Sequence, residues 1–223
     1  MTNQKLRQAW PAALDIEPIM KTVAGGRAEF YRMDYNLIHR ELAAWHVTMS
    51  GLPFNEHSKE KTKKLLQEAG YTGTPVRWIT TKEYQWMFKN ALVARQQLEA
   101  AGFKIDLQVV DWATLVQRRN KPEVWDVFST GFTFNPEPAF STATACNWPG
   151  WWCHEDKEQW MEAMARETDV RKRKAMWDKV QQIFYDDVGR VKFGDSFSLE
   201  AIRSHVHGWQ PKNELPLWNV WLK

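Results

Sequence analysis

The chain has 223 residues, 43% hydrophobic and 26% charged, which fits one large folded domain or two small ones and excludes a disordered chain. Thirty Lys and Arg against 27 Asp and Glu give a formal charge of +3. Both signs are interspersed, so the concentrated basic footprint of a nucleic-acid-binding domain is missing.

No stretch approaches the ~18 apolar residues of a membrane span, and the polar opening Met1–Arg7 does not read as a secretory leader. The aromatics are skewed, with 14 Trp and 11 Phe against 5 Tyr. That many indoles call for large flat core fillers, aromatic-lined clefts, or both.

The first predicted element is a helix over residues 4–14, with Leu6, Ala9, Trp10, Ala13 and Leu14 on one face and Pro11 as a point of kinking. Ile16–Val23 reads as a second helix, with Pro18 in its first turn and Gly25-Gly26 ending it. Residues 27–57 have no clean period and hold three of the six His, at 39, 46 and 57. They are expected to form a long, partly ordered connection that covers or binds something.

The signals then sharpen. Ser58 is an N-cap for a helix over Lys59–Ala69, stopped by Gly70. Pro75–Ile79 is a strand, and Glu83–Ala101 a long helix closed by Gly102. Lys104–Val110 alternates as a strand, Asp111 caps a short helix through Arg119, and Val124–Gly131 is a third strand. This βαβαβ order implies a parallel sheet flanked by helices. Ligands of such sheets bind beyond the carboxyl ends of the strands, here Thr80-Thr81, Asp111-Trp112 and Gly131 onward.

Phe132–Cys153 is loop, rich in Pro, Trp and Asn. Helices follow over 155–167 and 170–188, the second with Trp177, Val180, Phe184 and Val188 on one stripe. Its basic run, Arg171 to Lys174, reads as a solvated helix face rather than a phosphate site. Leu217–Leu222 is a terminal strand.

The chemistry is sparse. Cys146 and Cys153 flank a Pro149-Gly150 turn and suit one disulfide, hence an oxidising compartment. Free thiols and a metal site with His154 are the alternatives, and no CxxC spacing supports the metal. No catalytic or nucleotide motif is present, and carboxylate pairs such as Asp186-Asp187 fit exposed helix faces. The expectation is a non-enzyme without metal or cofactor. The strongest local signal for function is the aromatic group Phe132, Phe134, Trp148, Trp151 and Trp152 at the third strand's end, since aromatic walls with a few polar groups line small-ligand pockets. The same rings would also serve as core fillers.

Several segments carry a resemblance. VARQQLEAAGFKIDLQVVDWATL (Val93–Leu115) resembles the extracytoplasmic solute-binding proteins of peptide-type ABC transporters, the dipeptide, oligopeptide and nickel family. KLRQAWPAALD (Lys5–Asp15), Lys61–Tyr71, and Trp125-Asp126 followed by Gly131-Phe132 are similar to that family in the same order. The family is longer and two-lobed, and this chain resembles its C-terminal portion. The resemblance implies an α/β, type II periplasmic-binding-protein lobe, with a βαβαβ core and helices on both faces of a mixed sheet. Residues 1–190 would be the second lobe, and 191–223 a crossover segment returning to the first.

The implied function is non-catalytic capture of a peptide-like solute in an interlobe cleft for delivery to the permease, in the periplasm. The implied partners are a small peptide, the first lobe and the ABC permease. The alternative is an orphan lobe that pairs with itself or another protein through the exposed cleft wall. By resemblance the ligand would meet Trp112, Arg119, Phe132, Phe134, Asn135 and Glu137, and Cys146–Cys153 is similar to a disulfide found in some members. One departure matters. Peptide binders commonly carry an Asp shortly after the Gly-aromatic pair, holding the ligand's ammonium. Here Asn135 and Glu137 fall nearby, which puts peptide specificity in question.

Overall fold

A computed structural model describes residues 1–49, 51–133, 135–197, 199–210 and 217–223. Helices α1 (Gln4–Ala12) and α2 (Ile16–Val23) open the chain. Asn3 caps α1 by accepting from the Leu6 amide. The helix stops two residues short of expectation, and Pro11 is tolerated in its last turn, where its missing N–H forfeits only one bond.

Ser58 accepts from the Lys61 amide and starts α3 (Lys59–Glu68), and Gly70 takes the left-handed conformation (φ +64°) that ends it. The predicted βαβαβ unit follows as β2 (Val76–Thr80), α4 (Gln85–Ala100), β3 (Ile105–Val109), α5 (Trp112–Arg118) and β4 (Val127–Phe128). The three strands form one parallel sheet in the order β3-β2-β4, with Trp78 opposite both Leu107 and Val127. β4 is much shorter than its sequence suggests, yet the Asp126 and Ser129 amides extend its pairing to the Arg77 and Ile79 carbonyls.

Helices cover both faces of this sheet. Alternation along β2 sends Val76 and Trp78 to one side, where they pack with Trp10, Ile16, Leu98 and Phe103 from α1, α2 and the end of α4. Ile79 points the other way, onto Leu115 of α5 and Trp125. Trp10 meets Trp78 and Phe103 edge to face, each at 5.4 Å.

Helices α6 (Glu155–Arg166) and α7 (Val170–Asp187) pack together, and Trp177, Val180 and Phe184 are buried on the predicted stripe. The basic run is not wholly a solvated face. Arg173 turns inward, donating to Glu137 at 2.7 Å and lying 5.0 Å from the Trp45 ring centroid.

Residues 27–57 are more ordered than expected. They cover α6 and α7, burying Ile38, Trp45 and Val47 against Met164, Trp177 and Val180. A buried irregular segment must find partners for its backbone, and side chains supply them here. Asn36, fully buried, accepts from the Val47 amide at 2.6 Å and donates to the Val47 carbonyl at 3.1 Å. Gln181 accepts from the Leu37 amide and donates to the Tyr35 carbonyl. β1 (Tyr31–Arg32) pairs antiparallel with β5 (Asp195–Ser196). Arg32 ties that pair to Asp195 and Glu41. The chain then leaves the core. β6 (Val206–His207) and β7 (Trp221–Leu222) form a separate antiparallel pair, with Leu199, Leu217, Trp221 and Leu222 exposed.

Candidate ligand-binding site

The loops at the carboxyl edge of the parallel sheet converge on a group of rings. After β2 come Tyr84 and Trp86, and after β3 comes Trp112. Tyr84 meets Trp112 edge to face at 4.8 Å, and Glu83 accepts the Trp112 amide at 3.1 Å, joining the two strand ends. After β4, Gly131 makes room for Trp86, because a β-carbon there would fall 2.6 Å from the indole edge. Phe132 follows and meets Trp148 at 5.1 Å.

Trp148 is the hub. Phe128 lies 5.6 Å from it, and the guanidinium carbons of Arg119 and Arg190 both lie 5.1 Å from its ring. Arg119 is also 5.8 Å from Trp112, and Arg190 is 5.3 Å from Phe132. These are cation–π distances. Tyr84 and Phe132 are 42% and 36% exposed, so the wall is wet on one side.

The Trp-rich loop is held from behind. Cys146 and Cys153 form a disulfide with Cα atoms 4.6 Å apart, which resolves the three options for these residues. Among the described residues no free cysteine remains, and no cluster of metal-ligating side chains occurs. Inside the loop, Trp151 stacks on Trp125 at 6.2 Å. Trp152 is buried against Phe184 and donates to Asp187 at 2.7 Å. Lys157, fully buried, lies 4.8 Å from the Trp152 ring, donates to the Thr144 carbonyl at 2.5 Å and pairs with Glu158. Burial pulls its ammonium pKa down.

The two arginines have no carboxylate partner among the described residues. Arg119 makes no side-chain hydrogen bond among them, and its Nε is buried and unpaired. Arg190 donates through Nη1 to the Thr142 and Ala143 carbonyls, while its Nη2 is buried and unpaired. Desolvation lowers both guanidinium pKa values, that of Arg190 to about 10. Both therefore remain cations at neutral pH.

Of the residues singled out from sequence, the structure brings Trp112, Arg119 and Phe132 together around Trp148. Phe134 lies outside the described residues. Asn135 and Glu137 are occupied in shaping the loop. Asn135 accepts the Glu137 amide and donates to the Phe140 carbonyl. Glu137 accepts the Ala139 amide and pairs with Arg173. Sequence reasoning missed Tyr84, Trp86 and Arg190. Strand-end position singles out the first two. Arg190 has no local signal. It reaches the wall after the left-handed Val188 (φ 53°), which ends α7.

The family model described as bacterial extracellular solute-binding proteins, family 5 middle, matches residues 1–151. A probable peptide ABC transporter periplasmic-binding protein of Sinorhizobium fredii is 23% identical across 97% of this chain and 43% of its own length. Oligopeptide-binding protein AppA of Bacillus subtilis is 29% identical across 56% of this chain and 24% of its own. The chain thus spans less than half the length of these relatives.

The solved structure of AppA with a nonapeptide superposes with a TM-score of 0.79 at 19% identity, over 99% of this chain and 47% of that one. A dipeptide-binding protein from Pseudoalteromonas in complex with Met-Leu gives 0.77 at 22% identity, over 99% and 45%. The fold is that of one lobe of these proteins. With two thirds of its length matched by the family model, the chain belongs to the bacterial extracellular solute-binding proteins of family 5.

Proposed function

We propose that this chain is the C-terminal, solute-capturing lobe of a periplasmic receptor that serves a peptide-type ABC transporter. The observation that carries the reading is the aromatic and arginine wall at the carboxyl edge of the parallel sheet, where open α/β sheets bind ligands. Capture is non-covalent. The solute lies on Trp112, Phe132 and Trp148, a first lobe closes over it, and the closed form docks on the permease. Residues 191–223 cross back toward the first lobe. Their exposed Leu199, Leu217, Trp221 and Leu222 are the surface it would cover. One wall supplies only part of the contacts, so this chain alone binds solute weakly.

The test is made in the producing cell. Disrupting the gene should abolish uptake of di- to pentapeptides, and a species of about twice 26.3 kDa carrying the Trp-rich loop should be found in the periplasm. Unchanged uptake of every peptide class, with only a 26.3 kDa cytosolic species, would overturn the reading.

A further inference from the structure

We propose that the Cys146–Cys153 disulfide is a redox-operated clasp: a dithiol opens it in the folded lobe, and opening frees residues 147–151, with them Trp148 and Trp151. The bond closes a small ring, of sequence separation 7. Cys153 is exposed and Cys146 partly buried, so an attacking thiolate reaches the exposed sulfur without unfolding the chain.

The ring imposes a backbone that the chain inside it does not favour. Trp151, a bulky residue, sits in the left-handed region at φ 40°, beside Gly150 at φ 101°. Such a residue persists only where its surroundings over-determine it. Backbone bonding does not do so here. Among the described residues, the 147–151 amides make one hydrogen bond, from Trp151 to the Trp148 carbonyl, and it stays inside the ring. Outward, Trp148 rests on Phe128, Phe132, Arg119 and Arg190, and Trp151 stacks on Trp125.

The roots of the loop are anchored independently of the sulfurs. On one side Lys157 donates to the Thr144 carbonyl, and Arg190 to those of Thr142 and Ala143. On the other, Trp152 is buried against Phe184 and donates to Asp187 at 2.7 Å. Opening is therefore local. The roots keep their places, Trp151 relaxes to a negative φ, and Trp148 leaves the two arginines.

The chemistry is thiol–disulfide exchange. One thiolate of the dithiol attacks the Cys153 sulfur, the S–S bond breaks, and Cys146 leaves as a thiolate that takes up a proton. The second thiol of the reagent attacks the mixed disulfide and expels Cys153 in the same way. The dithiol is oxidised to a cyclic disulfide, and the protein gains two electrons and two protons. Where the wall is the solute surface proposed above, capture is thereby confined to oxidising surroundings.

The test needs no solute. The full chain, isotope-labelled at Trp, is held without denaturant in mixtures of reduced and oxidised dithiothreitol. Alkylation and intact mass count the free thiols. Indole N–H signals are followed by NMR, assigned with Trp-to-Phe changes such as Trp148→Phe and Trp151→Phe. On reduction both thiols should appear together, and the Trp148 and Trp151 signals should move to their positions in the urea-unfolded chain. Those of Trp10, Trp78, Trp152 and Trp177 should stay, and reoxidation should restore the starting spectrum. The double variant Cys146→Ser, Cys153→Ser should show the released signals without reductant.

A disulfide that resists dithiothreitol until urea unfolds the lobe would overturn the proposal. So would Trp148 and Trp151 signals unmoved in the thiol form, or core signals that collapse along with them. Peptide uptake by cells is a separate readout, so the clasp and the transport reading fail independently.

Discussion

Gly189→Ala is a one-carbon probe of how the Trp-rich loop is fastened to the lobe. A β-carbon at 189 would fall inside the Trp152 indole, against Cδ1, Cγ and Nε1. The ring has little room to retreat. It is buried, lies 5.7 Å from Phe184, donates to Asp187 at 2.7 Å, and is followed directly by the disulfide at Cys153. Overpacking of this kind costs about 1–3 kcal/mol. If the ring swings away, it loses a hydrogen bond to a carboxylate worth about 1.5–3 kcal/mol. The expected destabilisation is therefore ~1–3 kcal/mol, a sizeable share of the ~5–15 kcal/mol of a typical domain. In urea unfolding with the disulfide intact, a slope near ~2 kcal/mol/M turns this into a midpoint lowered by about 0.5–1.5 M. In a Trp152→Leu background the same change should cost less than ~0.5 kcal/mol, because the clashing atoms are gone. Equal cost in both backgrounds would refute the reasoning.

Cys146→Ser removes a cross-link of sequence separation 7 and should lower stability by about 2–3 kcal/mol by loop-closure entropy, read as the difference between oxidised wild type and variant in urea. Asn36→Ala strips the Val47 amide and carbonyl of their buried partner, and a loss of about 2–4 kcal/mol is expected, with accelerated hydrogen exchange across residues 36–47. Acid should destabilise the lobe. Burial pushes the Asp34 and Asp126 pKa values up, but the Asn36 amide and Lys192 charge for the first, and the Arg77 hydrogen bonds for the second, hold both below the ordinary range. Hydrogen bonding to Arg32 brings Glu41 to about 2, although its exposure screens its share. Folded values below unfolded ones give stability that is complete above about pH 5 and lost as pH falls from ~4 toward ~2. A urea midpoint that does not fall between pH 6 and pH 3 would contradict this.

The sequence exposes α3 and the βαβαβ unit after it because several of their boundaries carry local chemistry. Ser58 and Asp111 cap helices through their side chains, and Gly70 and Gly102 adopt the positive φ their stops require. Residues 27–57 have no such signals. Their order depends on Gln181, more than 140 positions away, supplying partners to the Tyr35 and Leu37 backbone. Periodicity cannot register a contact of that range. Arg190 fails to stand out for the same reason. It follows the end of α7 like any basic residue near a helix C-terminus, and only the turn at Val188 sends it toward Trp148.

The residues carried over by resemblance divide along a physical line. Trp112 follows β3 as the first residue of α5, Arg119 caps the other end of that helix, and Phe132 follows β4 within a few residues, so regular elements fix where they lie. Asn135 and Glu137 sit beyond a Pro-interrupted loop whose own turns consume their oxygens. An ammonium brought to this wall would shed its hydration and find a neutral amide and a carboxylate already paired with Arg173. An anion would meet two cations whose desolvation is already a property of the folded lobe. Its binding then draws on attraction without a matching new penalty on the protein side, which is the condition under which a buried charge favours affinity. If this wall is the solute surface proposed above, its two cations would therefore disfavour an ammonium, and the rings of Trp112, Phe132 and Trp148 would supply the apolar contact.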